Sequence, residues 1–98
     1  MKVKLNTVLL DAADRPMMIK DAKLTLRTLI MRSLQDQSPY LKSRELREKA
    51  FNLALRVNTA KVDLDLVAEE ITFLKDAIDA RFPTAAIVGR ASLLLEGK

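Results

Sequence analysis

The apolar residues of this chain change period once, and that change limits the fold more than any other feature of the sequence. At the start, Lys2-Val3-Lys4-Leu5-Asn6 alternates polar and apolar residues, the pattern of a strand with one face buried. Val8-Leu9-Leu10 extends it, Asp11-Ala12-Ala13-Asp14-Arg15-Pro16 is rich in turn formers, and Met17-Met18-Ile19-Lys20 reads as a returning strand. These segments predict a β-hairpin over residues 2–22. Beyond Thr25 the apolar residues recur every three to four positions, the period of a helix. The expected class is therefore α+β: an N-terminal β-hairpin packed on a bundle of about four short helices, over 25–35, 44–58, 66–81 and 84–96, in one domain spanning 1–98. A two-stranded hairpin is marginal alone in water, so it must lie on the helices or pair with another chain.

Thr25 is a cap for the first helix, with Leu26, Leu29, Ile30 and Leu34 on one face and Arg27, Thr28 and Arg32 on the other. Asp36-Gln37-Ser38-Pro39 breaks it. The next helix starts either with Pro39 at its first position or after Ser43, and Ser43 is preferred for its regular body. Leu46, Ala50, Leu53, Ala54 and Val57 form one stripe of that second helix, while Phe51 and Leu55 fall outside it, beside Arg44. So wide an apolar arc implies a helix sandwiched centrally or half-covered by a partner. Lys61-Val62-Asp63-Leu64-Asp65 is a short connector. Asp65 is expected to cap the third helix, with Glu69 and Glu70 near its positive end. That helix has two stripes, Val67, Ile71, Leu74, Ile78 and Phe82, then Leu66, Phe73, Ala77 and Ala80. Pro83 ends it. The fourth helix carries Ile87, Val88, Ala91, Leu94 and Leu95 on its apolar face, and Gly97 is placed to terminate it.

Much chemistry is excluded by what is missing. There is no cysteine and no histidine, which removes disulfides, thiol nucleophiles, Cys-ligated zinc and the commonest general base. Asp63/Asp65 and Glu69/Glu70 are the remaining carboxylate pairs, and capping and solvation explain them better than catalysis or a calcium loop. No phosphate-binding glycine loop or nucleophile elbow is present. The sequence therefore predicts no enzyme: no catalytic residue, no cofactor, no metal and no small-molecule substrate. The first residues lack the long apolar core of a signal peptide, and no run approaches the roughly 18 apolar residues of a membrane span. The expected location is the cytoplasm.

Charge and apolar surplus point to partners. The net charge is +4, but residues 62–80 carry six acids against Lys75 alone. Nucleic acid is one reading, through the basic segment 42–61 with Arg44, Arg47, Lys49 and Arg56 on phosphates. Glu45 and Glu48 interrupt that segment, and stacking aromatics are few. Protein binding is the favoured reading, whether to a second copy or to another protein. Its candidate interface residues are Met17 and Met18, adjacent in a strand; Phe51, Leu55 and Phe73, on the surplus stripes; and Leu93, which points away from its helix's main face.

Three stretches carry a resemblance. Lys4-Leu5-Asn6-Thr7-Val8-Leu9-Leu10-Asp11 with its Asp14-Arg15-Pro16 turn, Ala68-Glu69-Glu70-Ile71, and Ile87-Val88-Gly89-Arg90 with Leu95-Glu96-Gly97 are similar to small hypothetical proteins of tailed bacteriophages and prophages. The layout of an N-terminal hairpin followed by short helices also resembles tail-assembly chaperones, by architecture alone. The resemblance implies a compact accessory protein acting in the bacterial host cell, in virion or tail assembly. Small phage inhibitors of host enzymes are equally featureless, and the alternative it leaves open is a regulator of nucleic acid or of a host nucleic-acid enzyme.

Overall fold

Three backbone hydrogen bonds close a ring at the N-terminal end of the chain in the computed structural model, which describes residues 1–35 and 40–97. Leu9 N–H donates to the Leu24 carbonyl at 2.8 Å, Leu24 N–H to Met17 at 2.8 Å, and Met17 N–H to Leu9 at 2.9 Å. Two turns make this possible. In the first, the Asp11 carboxylate accepts the N–H groups of Ala13 and Arg15 at 2.9 and 3.0 Å, and Asp14 takes a left-handed φ of 60°, which a short polar side chain tolerates. In the second, Lys20 (φ 51°) turns β2 (Met18–Ile19) back on β3 (Ala22–Lys23).

The opening strand β1 (Lys2–Lys4) does not take part in this hairpin. It pairs antiparallel with β4 (Asp63–Asp65), in the register Lys2 to Asp65, Val3 to Leu64 and Lys4 to Asp63. The predicted hairpin over 2–22 is corrected accordingly: its turn is real, but its arms begin only at Val8, which bridges Thr25 rather than extending β1. The pairing with β4 buries Val3 while setting lysines across from aspartates, an arrangement favourable for cross-strand neighbours.

The helices are α1 (Leu26–Gln35), α2 (Arg44–Thr59), α3 (Ala68–Arg81) and α4 (Ala85–Leu95), and the α+β class is what the chain adopts. Thr25 Oγ1 accepts the Thr28 N–H at 3.3 Å and Ser43 Oγ the Leu46 N–H at 3.1 Å, so both caps act as their residue types dictate. The break at Asp36-Gln37-Ser38-Pro39, and with it a start at Pro39, lies outside the described residues. Asp65 does not cap α3. It is used in β4, and Leu66 N–H continues the ladder to the Met1 carbonyl at 2.8 Å. The helix starts later, and Glu70 reaches back to accept the Val67 N–H at 3.0 Å, the reciprocal half of a capping box. Gly97, at φ 80°, donates to the Leu94 carbonyl and stops α4.

Helix α1 packs against both α2 and α3, and α4 packs on α3 and touches β1. Leu5 and Leu9 from the N-terminal segment, Leu29 and Ile30 from α1, Leu74 from α3 and Leu95 from α4 are fully buried in one core. Its buried hydroxyl, Ser33, is satisfied by the Leu29 carbonyl at 2.8 Å.

Candidate protein-interaction surface

Helix α2 buries Ala50, Leu53, Ala54 and Val57, and α1 is its main neighbour. At about 100° per residue, Phe51 and Leu55 then fall on the side turned away from that contact. They stand one turn apart, 58% and 49% exposed. Phe51 lines an open groove with Arg44, Arg47, Glu48 and Asn52. Arg44 Nε meets Glu48 Oε1 at 2.9 Å within the helix, and Arg47 donates to the Leu41 carbonyl at 3.3 Å. Exposed contacts of this kind hold a side chain only weakly, so both guanidinium groups stay open to a partner.

The flank of α2 toward α3 is different. Lys49 Nζ pairs with Glu69 at 3.2 Å and sits 4.9 Å above the centre of the Phe73 ring. Arg56 pairs with Glu70 and also donates to the Asp65 carbonyl at 3.0 Å. Partial burial pulls the Glu70 carboxyl up, but the Val67 N–H and the Arg56 guanidinium outweigh it and hold that group below its ordinary value. Of the four cations considered for nucleic acid, Arg44 and Arg47 thus face outward, whereas Lys49 and Arg56 are engaged with acids of the next helix. The four do not form one basic face.

The apolar candidates also separate. Met18, Phe51, Leu55 and Leu93 are exposed, on three different elements, and only Phe51 and Leu55 share one. Phe73 is a correction. It is 4% exposed, meets Tyr40 edge to face at 5.4 Å and lies under Lys49 of α2, so residues outside α3 cover the stripe that the periodicity left as surplus. Met17 is half-buried against the core, and its backbone is fixed in the three-bond ring.

Sequence reasoning missed two arginines that tie elements together and one exposed face. Arg27 donates to the carbonyls of Val57 and Lys61 at the end of α2 and to Asn6 Oδ1. Arg90 of α4 reaches the carbonyls of Leu10 and Asp11 at 2.8 and 3.1 Å. Helical spacing alone marks both as ordinary polar positions, since a carbonyl partner distant in sequence leaves no pattern. The outer face of α3 exposes Ala68, Thr72, Asp76 and Asp79, and the two aspartates form no ion pair among the described residues. Among those residues no helix is long and apolar enough to cross a membrane, and no acidic cluster suits a metal ion.

No family model, curated protein or solved structure matches the chain.

Proposed function

We propose that this chain is a non-enzymatic protein-interaction module of bacteriophage or prophage type, acting in virion or tail assembly. The observation that carries the reading is the Phe51–Leu55 pair on the outer face of α2. A large aliphatic or aromatic side chain gains about 1.5–3 kcal/mol on full burial, and the core of this chain leaves two such residues side by side in water. The resemblance of the opening segment, of the start of α3 and of the α4 stretch to small phage proteins supplies the setting.

The test is Phe51→Asp with Leu55→Asp in the genome that encodes the chain. The purified double variant should keep its helical circular dichroism and its unfolding temperature, because both side chains face water. The yield of assembled particles should drop steeply. Particles at the wild-type level from a folded double variant would refute the assembly reading. The nucleic-acid reading predicts something else, a binding constant that falls by about three orders of magnitude between roughly 50 and 200 mM salt for six phosphate contacts. The engagement of Lys49 and Arg56 with Glu69 and Glu70 argues for a shallower slope.

A further inference from the structure

We infer that the outer face of α2 docks on the outer face of α3 of a second copy of this chain, with the two helices antiparallel. The inference rests on the reading of the Phe51–Leu55 face as an interaction surface and names its occupant. Both stripes advance in matching steps. On α2 the exposed residues Arg44, Arg47, Phe51 and Leu55 are spaced by three, four and four positions. Read backward, α3 exposes Asp79, Asp76, Thr72 and Ala68 at the same three, four and four. Each stripe is about 16 Å long at 1.5 Å per residue and occupies one side of its helix.

An antiparallel alignment sets Arg44 against Asp79 and Arg47 against Asp76, two pairs of opposite charge. The same register places Phe51 on Thr72 and Leu55 on Ala68, so the large apolar side chains meet small ones without a charge between them. Pairing the α2 face with itself fails this comparison. Two α2 faces in parallel set arginine on arginine, and antiparallel they set arginine on Phe51 and Leu55. Because the faces differ, the contact is heterologous, and repeating it builds a ring or a filament rather than stopping at two copies unless the geometry closes.

Charge reversal tests this. Wild-type protein at up to about 100 μM, a range that captures weak association, should show by light scattering a mass above that of one chain, and more salt should reduce it. Asp76→Lys with Asp79→Lys should be monomeric and folded, and so should Arg44→Glu with Arg47→Glu. Mixing the two variants should restore association, since the first keeps the α2 face and the second the α3 face. A wild-type chain that stays monomeric overturns the inference. So does a self-association that both double variants retain, or a mixture that stays monomeric. None of these results touches the particle phenotype of the Phe51/Leu55 variant, which would then report a different partner.

Discussion

Glu70 shows how one side chain can hold two helices and set the acid limit of the fold. Its carboxylate takes the Val67 N–H at the start of α3 and the Arg56 guanidinium of α2, and it stays ionised below its ordinary value near 4.5. A carboxyl depressed in the folded state contributes stability that is fully present above its unfolded value and is lost as pH falls through the folded one. Glu70→Gln should therefore be less stable than wild type at neutral pH and equal to it once both are acidified well below pH 4, by urea titration at each pH. A constant difference at every pH would show that Glu70 acts without its charge. Side by side, Phe73 and Phe51 show what single positions in the sequence could reveal. Both stand off the main stripe of an amphipathic helix, yet one is buried and the other exposed. The difference lies in whether a second helix covers that side, which no local pattern encodes.

At the scale of elements, local chemistry was readable where the physics is local. The caps at Thr25 and Ser43 and the stop at Gly97 all act within a few residues of their own positions. The start of α3 and the pairing of β1 were not readable, because both depend on a strand partner about sixty positions away. Helix α4 is the element with the most to gain from one change. A Cβ on Gly89 would meet nothing within 4 Å, and the residue is exposed in the helix interior. Gly89→Ala should stabilise the protein by about 0.5–1 kcal/mol through lost freedom of the unfolded chain. Chemical denaturation would measure this, and a loss of stability would mean that the helix needs a glycine there for a reason outside its own packing.

For the molecule as a whole, the α+β class followed from the change of period, whereas the order in which the helices pack, α1 on α2 and α3 and α4 on α3, did not. The exposed stripes of α2 and α3 matter only because that order leaves each of them uncovered. The pairing of β1 with β4 has a consequence in time. On the ribosome, Val3 and Leu5 emerge well before the strand that lines them up, Asp63–Asp65, which follows some sixty residues later. At about 5–20 residues per second, the opening strand waits roughly 3–12 s for its partner. The turn at Asp11–Arg15, by contrast, is complete as soon as it leaves the exit tunnel. A nascent chain stalled with residues up to about 60 outside the tunnel should be cut readily near Lys2 and Lys4 by trypsin. The same sites should resist once Asp65 and α3 are out, and early resistance would mean that β1 first rests on something other than β4.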